Sequence, residues 1–124
     1  MATELSFDIA DVHESFYERG WTDGLPVIPP TPELVTAMLD HAGVRPDEIV
    51  GTVTERAREV SAEKAAINAV MAGCRPEHFP VVLAALTAMF DPAFGCHTVV
   101  TSTGGAALCV VVSGPLVAEL GFNS

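Results

Sequence analysis

The sequence predicts an α+β fold in which N-terminal helices are followed by a β-hairpin, with a mixed α/β arrangement as the alternative. Helical spacings and helix caps occupy the first ninety residues, whereas two β-branched runs, Cys96–Thr103 and Ala106–Val112, come after them. Between those runs lies Gly104-Gly105, a pair suited to a two-residue hairpin turn that needs positive φ. Helices first and strands afterwards is the α+β order.

Phe7, Ile9, Ala10, Val12, Phe16 and Tyr17 recur at mixed three and four spacing before Gly20, which predicts a first helix with a glycine stop. Trp21 to Pro30 reads as an ordered extended loop, because Asp23-Gly24 signals a turn and the prolines impose polyproline-like geometry. Thr31-Pro32-Glu33 opens a second helix with a hydroxyl cap, a first-turn proline and an acid, and Gly43 stops it. Glu48 to Val53 predicts a short strand. Ser61 caps a third helix whose Ile67, Val70, Met71 and Cys74 form one apolar face, ended by Arg75-Pro76. Glu77 to Phe90 predicts a more buried fourth helix with Pro80 in its first turn. Pro115 to Leu120 is a last short helix before Gly121.

Length and charge bound the function. The 124 residues make one small domain, and 49% hydrophobic content supplies a core. With 6 basic residues against 16 acidic ones, the net charge is -10, and Lys64 is the sole lysine. Such a chain cannot neutralise phosphates and is repelled by anionic lipid, which excludes nucleic acid and membrane surfaces as partners. Residues 1–64 carry a net -8 and residues 65–124 a net -2; from Ala93 onward Glu119 is the only charged side chain. A segment uncharged on all sides needs a cover, supplied by the first half or by another chain. A two-stranded sheet is marginal alone, so further strands are expected from a second protein chain. Alone, the protein is expected to aggregate or fold poorly. Met1 to Phe7 lacks the features of a signal peptide, which makes a cytoplasmic location the default. Three scattered cysteines, reduced in that compartment, do not make a disulfide framework.

Candidate catalytic residues are Cys74, Cys96 and His97. Cys74 stands beside Arg75 and near His78, a cation and a base of the kind that activate a thiol, although it also continues the apolar face of its helix as a structural cysteine would. Cys96 and His97 open a predicted strand and so point to opposite faces, and no CxxC or HxxxH spacing occurs, so no metal site is assigned. In a nearly uncharged segment, His97 is a candidate general base or substrate contact, with a hydrogen-bonded core histidine as the alternative. Lys64 and Asn68, one helical turn apart, are candidate substrate-binding residues, with an exposed ion pair as the plainer role for Lys64. Ser102 and Thr103, at the predicted hairpin tip, offer hydroxyls and backbone N–H groups to an anion. Ser61-Ala-Glu-Lys64 has the SxxK spacing of serine β-lactamases, but a KTG element is impossible with one lysine already used, which leaves Ser61 as a cap. No phosphate-loop or nucleotide fingerprint is present, and the cofactor is unassigned.

Trp21 to Glu33 (WTDGLPVIPPTPE), Glu63 to Leu86 (EKAAINAVMAGCRPEHFPVVLAAL) and Ser113 to Ser124 (SGPLVAELGFNS) together resemble a bacterial protein family. Its members are often encoded beside, or joined to, small (seleno)proteins with a selenocysteine-or-cysteine, Gly, Ser, Cys motif. The resemblance implies that this chain is the N-terminal portion of a larger fold, as one subunit of a split pair or a product of cleavage. The first expectation is therefore a subunit of a cytoplasmic hetero-oligomeric enzyme acting on a small molecule, by thiol-linked oxidoreductase or lyase chemistry. Its site would draw on Trp21, Asp23, Lys64, Asn68 and the Cys74, Cys96 and His97 groups. A hydrolase or hydratase subunit, with oxyanion donors from Ser102 to Gly105 and the nucleophile on the partner, is the second expectation. A non-catalytic stabilising subunit is the third.

Overall fold

The computed structural model describes residues 9–122. In chain order these form α1 (Ile9–Glu18), α2 (Pro32–Ala42), β1 (Ile49–Val53), β2 (Arg58–Ser61), α3 (Ala62–Met71), α4 (Phe79–Met89), α5 (Cys96–Thr101) and α6 (Leu116–Glu119). Phe7, in the predicted first helix, lies outside the described residues. The fold is α+β: helices together with an antiparallel two-stranded hairpin.

The helix ends follow from their sequences. Thr31 and Ser61 each accept the backbone N–H three residues on, at 3.4 and 3.3 Å, and so cap α2 and α3. Four helices close in the same way, with a glycine at positive φ (Gly20, Gly43, Gly73, Gly121). In each case the next residue's N–H returns to the carbonyl five residues back: Trp21 to Phe16, Val44 to Leu39, Cys74 to Ala69 and Phe122 to Val117. The residue after each glycine is apolar: Trp21 packs on Phe16, Val44 and Cys74 on the core, and Phe122 on His78.

The hairpin is not the one the β-branched runs predict. It joins β1 to β2, in the register Gly51 with Val60, Thr52 with Glu59 and Val53 with Arg58, and has a bulge between Ile49 and Gly51. The bulge residue, Val50, packs on the core. Cys96–Thr101 is instead a short helix, and residues 105–113 have no regular secondary structure. Two local facts explain the difference. A tight hairpin turn at Gly104-Gly105 needs positive φ at Gly104 in either of its favoured types, and only Gly105 has it. In the absence of a partner strand, Thr98 and Val99 satisfy their N–H groups on the Gly95 carbonyl, and the Thr101 hydroxyl does so on that of His97.

The core lies where α2, α3 and α4 meet. Val35, Met38 and Leu39 of α2 pack on Ala62, Ala65, Ala66, Ala69 and Val70 of α3 and on Phe79, whose side chain is fully buried. The buried face of α3 is thus turned toward its alanines, while Ile67, Met71 and Cys74 of the predicted face are half-buried. Small side chains let α2 and α3 approach closely, which fixes the rotation of α3. α4 is not the most buried helix: apart from Phe79 its residues are half-buried or exposed, with Val82, Leu83 and Leu86 against the core. Its apolar residues run right around the helix, so one side remains uncovered.

The chain exposes 9173 Å². A compact monomer of 13.0 kDa exposes about 6,300 Å² by size scaling. When the ten residues outside 9–122 are counted at the full unfolded-chain area, the described residues still exceed a compact body of their own mass by about 1,600 Å². Part of the surplus is apolar: Val110 and Val111 are 64% and 85% exposed. Among the described residues no helix is long and apolar enough to cross a membrane.

Candidate functional site

The predicted site residues fall into separate places. Cys96 and His97 come together. Helical neighbours lie about 100° apart rather than on opposite faces, and in the short α5 both residues border one small cleft of about 110 Å³. The same cleft is lined by Thr52 from β1 and by Phe90 and Asp91 from the end of α4. These three residues, separated by some forty positions in sequence, carry no spacing signal; the packing of α4 on β1 gathers them. Asp91 already accepts the Ala93 N–H at 2.8 Å, which caps the turn before α5.

Cys74 is elsewhere, at the closure of α3. Its N–H binds the Ala69 carbonyl at 2.9 Å and its half-buried side chain packs on the core, so its position is that of a structural residue. The nearby imidazole is engaged as well. His78 Nδ1 accepts the Arg75 N–H at 3.0 Å, so the neutral ring carries its proton on Nε2 and has no free lone pair for a thiol. The other face of His78 meets the Phe122 ring edge-on, with centroids 6.1 Å apart, which ties the segment after α6 to the α3–α4 connection.

Trp21, Asp23 and Asn68 share a second, wide-open groove with Leu25, Pro26 and Met71. The loop that forms it is held at both ends. The Thr22 hydroxyl donates to the Leu25 carbonyl at 2.6 Å and accepts the Gly24 N–H, while Ile28 donates to the Met71 carbonyl at 3.2 Å. Trp21 stands 51% exposed, against the Phe16 ring at 5.1 Å and under the Arg19 guanidinium at 5.2 Å. Asn68 donates its side-chain amide to the Lys64 carbonyl at 2.8 Å. Lys64 is exposed and lines neither recess, and it makes no ion pair among the described residues, where Arg45–Asp47 at 3.1 Å is the pair formed.

Ser102 and Thr103 are exposed, in a turn rather than at a hairpin tip. The Gly104 N–H donates to Ser102 Oγ at 3.0 Å, so one of the backbone donors expected to face an anion is used inside the turn. Among the described residues no group of three or more His, Cys, Asp or Glu side chains is placed to hold a metal ion. All three cysteines are free thiols, with Cys109 exposed.

The chain matches no family model, no curated protein and no solved structure.

Proposed function

We propose that this protein is one subunit of a hetero-oligomeric enzyme that acts on a small molecule by thiol-linked chemistry, oxidoreductase or lyase in class. The observation that carries the reading is the Cys96–His97 cleft. Cys96 and His97 border the same recess, and a thiol with an imidazole is the pairing through which a base generates a reactive thiolate. The recess is far smaller than the ~300–1,000 Å³ that encloses a small-molecule ligand, and in this reading another chain supplies the rest of the site.

In this reading His97 takes the proton of Cys96, and Cys74 is structural. The Trp21–Asp23–Asn68 groove is the seat for a remote part of the substrate or for the partner. The resemblance expected from the three sequence blocks, to a family associated with selenol and thiol proteins, points to the same class. The hydrolase reading has less support, since the Gly104 N–H is spent within its own turn.

Alkylation rates test the proposal without knowledge of the substrate. In the assembly purified from its native host, Cys96 should react with iodoacetamide at neutral pH faster than an unstructured cysteine, and His97→Ala should slow it about tenfold. Equal rates in wild type and His97→Ala would remove the catalytic pair and leave a stabilising subunit as the reading.

A further inference from the structure

We propose that Ala106–Val112 is a β-strand donated to the open sheet edge of a second, different protein chain, which covers it on both faces. The inference rests on the hetero-oligomer reading above and specifies how the chains join. Four observations carry it. First, among the described residues the backbone of this run makes no hydrogen bond to other backbone, so its N–H and C=O groups stand open. Second, the run is AALCVVV, β-branched toward its end, with Val110 and Val111 mostly exposed. Nothing guards it as exposed strand edges are guarded, by lysine, proline or a bulge.

Third, in a strand Leu108, Val110 and Val112 face one way and Ala107, Cys109 and Val111 the other. Both faces are apolar. Continuous apolar runs of this kind belong to strands buried on both sides, as in layered sheets, and not to strands with one wet face. The host edge therefore belongs to a sheet with a layer on each face. Fourth, the surplus exposed area of about 1,600 Å² per chain is what an obligate interface consumes, since such interfaces bury a total of ~2,000 Å² or more over both partners.

A second copy of this chain is the weaker occupant. Pairing the run with its own equivalent makes a two-stranded ribbon with no layer behind it, which is marginal in water. Each copy also carries a net charge of -10, so two copies repel wherever their first halves approach.

The test uses the full chain, tagged at its N-terminus and purified from its native host with whatever it binds. Mass spectrometry follows amide exchange across residues 106–112 and iodoacetamide labelling of Cys109, in wild type, Val110→Pro and Val111→Lys. The expected result is protection of these amides and of Cys109 by at least about tenfold against an unstructured peptide. Both variants should lose the partner and keep the helical circular dichroism of the parent. If the hetero-assembly forms while the run exchanges freely, or if either variant retains the partner, strand donation is wrong and the hetero-oligomer reading stands. If only copies of this chain are recovered, both are wrong. Loss of helical signal in either variant would also overturn the proposal, since it would tie the run to this chain's own core.

Discussion

Gly51→Ala is the sharpest probe of how the hairpin sits on α4. A Cβ at Gly51 would stand 2.6 Å from Cγ and 2.7 Å from Cε2 of the Phe90 ring, and closer still to Cδ2. Carbon atoms rest at ~3.5–4.0 Å, so to clear the closest ring atom Phe90 must retreat by about 1.5 Å or more, or β1 must lift by as much. Overpacking of this kind costs about 1–3 kcal/mol. Amide exchange on the peptides of β1 and β2 reads the change locally, without a reversible global melt, and should accelerate about 5- to 150-fold. Phe90 also lines the Cys96–His97 cleft, so the alkylation rate of Cys96 should change in the same variant. Phe90→Leu makes room. The double variant should therefore cost less than the sum of the singles by more than about 0.5 kcal/mol. Unchanged exchange in Gly51→Ala, or strictly additive costs in the double variant, would refute the packing.

Three further outcomes follow from particular groups. Ser61→Ala should weaken α3 by about 1 kcal/mol, measured as faster amide exchange over Ala62–Ala65, because the Lys64 N–H loses its acceptor. Phe79→Ala should cost about 3–5 kcal/mol and most of the 222 nm helical signal, since the ring is fully buried between α2 and α3; a loss below 1 kcal/mol would move the core elsewhere. Glu33 should titrate below its ordinary value of 4.5, held down first by its hydrogen bond to backbone and then by that to Thr31. A depressed folded pKa means the stabilisation is present above 4.5 and is lost as pH falls through the lower, folded value. NMR titration of the Glu33 carboxyl checks this, and a midpoint at or above 4.5 would contradict it.

The local punctuation of the chain was readable from sequence, and its long-range pairing was not. Thr31, Ser61, Gly43 and the first-turn prolines act through neighbours within four residues, so their identities alone place the ends of α2 and α3. The strand at Ile49–Val53 was legible for its β-branched content. Its partner, Arg58–Ser61, was not, because Arg-Glu-Val-Ser has no apolar alternation and is a strand only by virtue of the bonds β1 offers. The converse holds at Cys96–Thr101, where β-branched residues had no strand to meet and took the helical bonds at hand. That switch also brought Cys96 and His97 to one cleft, a grouping that alternation along a strand would have forbidden. The loop from Trp21 to Pro30 bends at Asp23-Gly24 as predicted and has no regular secondary structure beyond it, and its closeness to Asn68 became visible only with the Ile28–Met71 bond.

The alanine face of α3 has a practical consequence for anyone mapping this protein by mutation. Among the described residues four of the nine that are buried are already alanine, so a truncation scan passes over nearly half the core in silence. Enlargement is the informative direction there. Ala66 and Ala62 have no exposed surface, and a valine or leucine at either would have to force α2 and α3 apart. Tolerance to truncation along α3 would therefore say nothing about tolerance to change, and a library that only removes atoms would report the least forgiving surface in the molecule as its most permissive.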